Sequence, residues 1–124
     1  MYSIVCSVHF DAAHFLKNYP GKCARTHGHR WHITVQVSGM ELNNIGILID
    51  FTDIKTYLRE ITDKFDHQLI NEVEPFDQIN PTAENLSKYI YKAFKERLSN
   101  SYPKLNLDYV EVAENPNSKA TYSE

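Results

Sequence analysis

Apolar and polar residues alternate from Tyr2 to Phe10, setting Ile4, Cys6, Val8 and Phe10 against Ser3, Ser7 and His9. A period of two is that of a half-buried strand, and it assigns Cys6 to the interior as a small core residue. A second alternation runs from Trp31 to Val37, with Trp31, Ile33, Val35 and Val37 opposed to His32, Thr34 and Gln36. The link between them, Phe15 to Arg30, contains Asn18-Tyr19-Pro20-Gly21 and reads as a turn-rich connection. Beyond Ser38-Gly39, a polar turn and the segment Ile47 to Phe51, the period changes. Ile54, Tyr57, Leu58, Ile61 and Phe65 recur at helical spacing, and Thr52 or Asp53 can cap that helix. A loop from Asp66 to Pro81 leads to a second helix start at Asn80-Pro81-Thr82. Its apolar stripe is Leu86, Tyr89, Ile90, Ala93, Phe94 and Leu98, and Asn100 and Pro103 stop it. Leu105 to Ala113 reads as a third strand and Lys119 to Ser123 as a fourth, joined by an Asn-Pro-Asn-Ser turn.

The order strand, strand, helix, helix, strand, strand predicts an α+β domain, an antiparallel sheet with both helices on one face. Its 124 residues suffice for one domain, 1–124, and would leave two domains short of core. With 42% hydrophobic and 23% charged residues the chain is globular in composition. The open edges of so small a sheet make a homo-oligomer the expected state.

Charge and targeting signals remove several classes. A net charge of -3 offers no footprint for nucleic acid. The amino terminus has neither the charged region nor the apolar stretch of a signal peptide, and no run approaches a membrane span. Two cysteines, Cys6 and Cys23, are too few for a disulfide framework, so a reducing cytoplasm is expected. Lys17, Lys22, Arg25 and Arg30 gather around one segment and could receive an anion or merely be solvated.

That segment carries the chemistry. His14, Cys23, His27 and His29 place three imidazoles and one thiol within a short stretch. His27 and His29, two apart in an extended chain, project to one side and can share a metal, while Gly28 between them allows close approach. His14, just past the first strand, can supply a third nitrogen if the strands pair. His32 has the wrong parity, and His9 lies on the polar side of its strand. Three histidines with a free position describe a catalytic zinc site; with Cys23 as fourth ligand the same residues describe a sealed structural one. A thiol held beside a cation tends to ionise and can act as base or nucleophile. Asp66-His67 is a second candidate pair, able to move protons near neutral pH. Glu114, past an apolar strand, can present a carboxylate to a ligand or be an ordinary strand-end charge.

Together these pieces resemble the 6-pyruvoyl-tetrahydropterin and 6-carboxy-tetrahydropterin synthase family along nearly the whole chain. Phe10-Asp-Ala-Ala-His14, Cys23-x-x-x-His27-Gly-His29, Leu48-Ile-Asp-Phe51, Phe65-Asp-His67-Gln-Leu69, Asn80-Pro-Thr-Ala-Glu-Asn85 and Val112-Ala-Glu114 follow in the family's order. The resemblance implies the tunnelling fold, ββααββ, assembled into a barrel-like oligomer, a hexamer, with active sites between subunits. It implies Zn2+ on His14, His27 and His29, with Cys23 as the proton-abstracting thiolate and His67, oriented by Asp66, as a proton carrier. Glu114 would grip the pterin's guanidine-like edge, and Glu84 and Thr82 stand where the family has further pterin contacts.

The three-residue spacer after Cys23 is similar to the 6-carboxy branch, which serves queuosine and other deazapurine synthesis. The implied reaction takes 7,8-dihydroneopterin triphosphate to 6-carboxy-5,6,7,8-tetrahydropterin, acetaldehyde and triphosphate. The pyruvoyl branch, which stops at triphosphate elimination, and a non-catalytic zinc-stabilised module sealed by Cys23 are the alternatives. Two departures stand out: Asn115 follows Glu114 where many relatives have threonine, and His9 occupies a position where relatives often carry a small hydroxyl residue.

Overall fold

A computed structural model describes residues 1–124. The chain forms β1 (Tyr2–His14), β2 (His27–Gly39), α1 (Phe51–Thr62), α2 (Ala83–Ser101), β3 (Asn106–Asn115) and β4 (Ser118–Tyr122), with single 3-10 turns at Lys22–Ala24 and Ile70–Glu72. The four strands make one antiparallel sheet in the order β1-β2-β3-β4. This is the α+β arrangement expected from the periodicities.

Parity decides which face is covered. Cys6, Val8, Phe10 and Ala12 of β1 and Trp31, Ile33, Val35 and Val37 of β2 are buried, whereas Ser7, His9 and His32 between them are exposed. Both helices pack on the buried side, α1 against β1 and α2 against β3 and β4. Ile54, Tyr57 and Leu58 meet Leu86, Ile90, Tyr91, Phe94 and Leu98 there in one continuous core. A bulge where Tyr109 and Leu107 face Gln36 and Val37 keeps Leu107 and Val110 on the same inward side. The displaced Asp108 then accepts hydrogen bonds from Gln36 Nε2 and Ser38 Oγ at 2.9 and 2.7 Å.

Three boundaries differ from the periodicity. β1 and β2 each extend into the segment read as a link, because pairing runs on from Phe10↔Trp31 through Ala12↔His29 to His14↔His27. Asp50, rather than Thr52 or Asp53, caps α1, its carboxylate accepting from Thr52 N at 2.8 Å. The helix ends at Thr62, and Phe65 reaches the core from the turn that follows. Thr82 caps α2 by accepting from Asn85 N at 3.0 Å, so that helix starts where the Asn-Pro-Thr signal put it.

Candidate active site

Strand register assembles the histidines. His14 lies directly across from His27, and His29 is opposite Ala12, two places back along β1. All three continue the core-facing rows of their strands, so they stand on the helix side of the sheet, just beyond its hydrophobic filling. Trp31, the next inward residue, packs edge-on against His14 and His29 with ring centroids at 4.8 and 5.2 Å. The ligating nitrogens of the three rings fall within 4.8 Å of one another.

Backbone carbonyls select the tautomers. His14 Nδ1 meets Pro81 O at 2.8 Å, and His27 Nδ1 meets Arg25 O at 2.7 Å. A carbonyl only accepts, so each Nδ1 carries the proton, and in the neutral ring Nε2 is left as a bare lone pair. The two Nε2 atoms then face each other at 2.9 Å. His29 Nε2 is buried and has no hydrogen-bond partner; Glu114 Oε2 approaches it only to 3.9 Å. Burial lowers the pKa of His14 to about 4 and also lowers that of His29, against a smaller opposing pull from Glu114. Convergent ring nitrogens, one of them buried without a partner, are what a cation requires. The residues present fit a metal ion.

The second group stands on the other side of β1. The chain after α1 runs along that edge: His67 N donates to Asp11 O at 2.6 Å, Ala13 N donates to Gln68 O at 3.0 Å, and Leu69 bridges Ala13. Asp66 Oδ1 accepts from Asp11 N at 3.0 Å, and His67 Nδ1 lies 3.0 Å from the same oxygen. These contacts hold the Asp66 carboxyl below its usual range, the backbone donor contributing most. His67 and His29 line one shallow cavity floored by Ala13 and Gly28.

Cys23 occupies the 3-10 turn between the strands, partly exposed, and its sulfur does not join the three-histidine cluster. Within one chain the sealed four-ligand arrangement is therefore not formed. Glu84 and Glu114 line a common hollow of about 350 Å³ with Ser118 and Lys119. Thr82 is occupied as the α2 cap. Lys17, Lys22 and Arg25 are exposed, and Arg30 is paired with Asp11. A more apolar hollow, lined by Leu42, Ile45, Leu48 and Leu105, lies towards the opposite end of β2.

Several positioning residues escaped the reading of the sequence. Asn71 exchanges two 3.0 Å hydrogen bonds with the backbone of Phe15, and Asn80 does the same for Lys17 at 2.9 and 3.0 Å. Asn85 Nδ2 in turn donates to Asn80 O at 2.9 Å, and Leu16 N to Cys23 O at 2.7 Å. The Asn80–Asn85 segment thus holds the chain leading to Cys23, supplies the carbonyl for His14 and starts α2. The only local signal for this was its match to the family's order of motifs.

A four-stranded antiparallel sheet with two helices on one face, bearing a three-histidine cluster able to hold a metal, defines a small α+β protein with a candidate metal centre. The pattern of the 6-pyruvoyl tetrahydropterin synthase family matches residues 3–124. The chain is 33% identical over 120 residues to the 6-carboxy-5,6,7,8-tetrahydropterin synthase of Bacillus subtilis, covering 93% of this chain and 80% of that one. It is 29% identical over 147 aligned positions to the Haemophilus influenzae protein of the same name, covering the whole of both. The structure of Caenorhabditis elegans 6-pyruvoyl tetrahydropterin synthase superposes with a TM-score of 0.87 at 26% identity, covering 99% of this chain and 95% of that one. The chain belongs to the 6-pyruvoyl tetrahydropterin synthase family of enzymes and has its tunnelling fold.

Proposed function

We propose that residues 1–124 act as one zinc-dependent lyase domain. It converts 7,8-dihydroneopterin triphosphate to 6-carboxy-5,6,7,8-tetrahydropterin, acetaldehyde and triphosphate, in the cytoplasm and on the route to deazapurines such as queuosine. The observation that carries this reading is the cluster of His14, His27 and His29, whose free nitrogens converge beside Glu114. The three-residue spacer between Cys23 and His27 and the names of the bacterial relatives favour the carboxy product.

His14, His27 and His29 would hold zinc, and the chemistry it supplies when bound is Lewis acidity towards the side-chain oxygens of the substrate. Glu114 pairs with the two N–H donors of the pterin edge, a match that a carboxylate makes with both oxygens. Glu84, across the same hollow, adds a second acceptor, and Thr82 orients that wall through the start of α2. Cys23 takes the proton from the substrate's side-chain carbon. His67, its Nδ1–H given to Asp66, keeps Nε2 for carrying protons to and from the departing groups. A hexamer in which neighbouring subunits complete each site accounts for the separation of Cys23 from the histidine cluster within one chain.

The decisive experiment is mass spectrometry of the zinc-loaded protein with 7,8-dihydroneopterin triphosphate. Carboxy-tetrahydropterin with acetaldehyde is expected. A pyruvoyl product without acetaldehyde would assign the elimination-only reaction, the activity named for the C. elegans structure.

A further inference from the structure

His67 has two carboxylates within reach. Its backbone is fixed in the left-handed region, with φ of 58°, by its 2.6 Å hydrogen bond to Asp11 O. Only the ring remains to be aimed, and Asp11, Asp66 and His67 each have a ligating atom within 4.8 Å of the other two. The ring is on Asp66 at 3.0 Å. Asp11 is instead occupied: Arg30 Nε reaches Oδ1 at 2.9 Å and Arg30 Nη2 reaches Oδ2 at 3.2 Å. The fork of a guanidinium takes both oxygens at once, which a lysine cannot do.

That pair has little to do for stability. The Arg30 and Asp11 side chains are 61% and 42% exposed, and ion pairs so open to water contribute only weakly to folding. Arg30 is directly paired with Asp11 across the strands, on the same polar face as His9 and His32 and beside the floor made by Ala13 and Gly28. Both carboxyls are held below their usual range, Asp11 chiefly by Arg30 and Asp66 chiefly by the Asp11 backbone, so both are acceptors at neutral pH. Two ionised carboxylates and one Nδ1–H give two ring orientations unless the charge and position of one carboxylate are held by a cation, as Arg30 holds Asp11.

We propose that Arg30 is a positioning residue that withdraws Asp11 from competition, leaving Asp66 as the sole carboxylate partner of the His67 ring. This rests on the reading of His67 as a proton carrier, and it adds a requirement that the Asp66-His67 pair alone does not meet. The backbone groups of Asp11 that hold Asp66 and His67 do not depend on its side chain. Removing that side chain therefore removes the competitor while keeping the frame.

The test compares wild type, Arg30→Gln and the double variant Asp11→Ala/Arg30→Gln, by crystal structure and by kcat and KM with 7,8-dihydroneopterin triphosphate. In Arg30→Gln the ring should divide between Asp66 and Asp11, and kcat should fall about tenfold with KM nearly unchanged, as expected when orientation alone is lost. The double variant should return the ring to Asp66 and recover kcat, although it lacks the ion pair altogether. A merely structural pair would leave the double variant as impaired as the single one. That result, or an Arg30→Gln ring still wholly on Asp66 with wild-type kcat, overturns the proposal. Ring orientation is read without substrate, so it decides the point even if the wild type does not turn over this pterin.

Discussion

His14 is neutral because it is buried, and that neutrality ties metal binding to acid stability. Its pKa is lowered from the ordinary 6.5 to about 4, chiefly by desolvation. As pH falls below 6.5 the unfolded chain takes up a proton at this position, while the folded chain resists until near 4. The contribution to stability is therefore complete above pH 6.5, declines between 6.5 and 4, and amounts to about 3 kcal/mol at most. Denaturant unfolding of chelator-treated protein should show this decline, and His14→Gln should flatten it over the same window. A decline unchanged in His14→Gln would assign the acid sensitivity to other groups. Bound zinc should add to the slope, since protons and metal compete for the same Nε2.

The start of α2 joins a helix cap to the site. Thr82 Oγ1 accepts from Asn85 N, and the preceding carbonyl, of Pro81, receives His14 Nδ1–H. Thr82→Ala should cost about 1 kcal/mol in chemical denaturation, the ordinary value of a lost cap. It should also weaken zinc binding, as second-shell losses around a histidine ligand do. Thr82→Ser should restore both, and a serine variant that restores stability without pterin affinity would expose a separate substrate contact. Much of this architecture was legible beforehand, because alternation in Ile4 to Phe10 and Trp31 to Val37 is a direct record of one covered sheet face. The strand ends were not, because Asp-Ala-Ala-His and His-Gly-His have no apolar alternation; there the inward row changes from core residues to metal ligands. The cap at Asp50 was missed because the apolar stripe of α1 begins only at Ile54, a full turn inside the helix. The amide clamps of Asn71 on Phe15 and Asn80 on Lys17 join residues 56 and 63 positions apart, and no local pattern announces them.

At the scale of the whole molecule, one chain does not gather every group assigned to one reaction. The three histidines face the helices, Asp66 and His67 stand beside Asp11 at the polar side of β1, and Cys23 lies in the intervening loop outside the cluster. β4 and the first part of β1 leave the sheet open at both edges, residues 67–69 covering only the end of β1. Met1, Tyr2, Met40, Ile45 and Phe51 are large apolar residues left at 76%, 50%, 65%, 78% and 57% exposure, a set that subunit contact would cover. A shared site makes a prediction that a self-contained one does not. Cys23→Ala and His67→Ala should each bind zinc and each lack activity. Co-expressed in equal amounts, they should form mixed oligomers in which about a quarter of the sites combine an intact Cys23 with an intact His67 from different chains. Activity approaching that fraction, measured on oligomers isolated through tags on both variants, would show that the two residues meet across a subunit boundary. Mixed oligomers with no activity would instead require one chain to supply both, by a movement of the Cys23 loop towards His67. Zinc lost from Cys23→Ala would return that residue to the role of fourth ligand, and with it the sealed, non-catalytic centre.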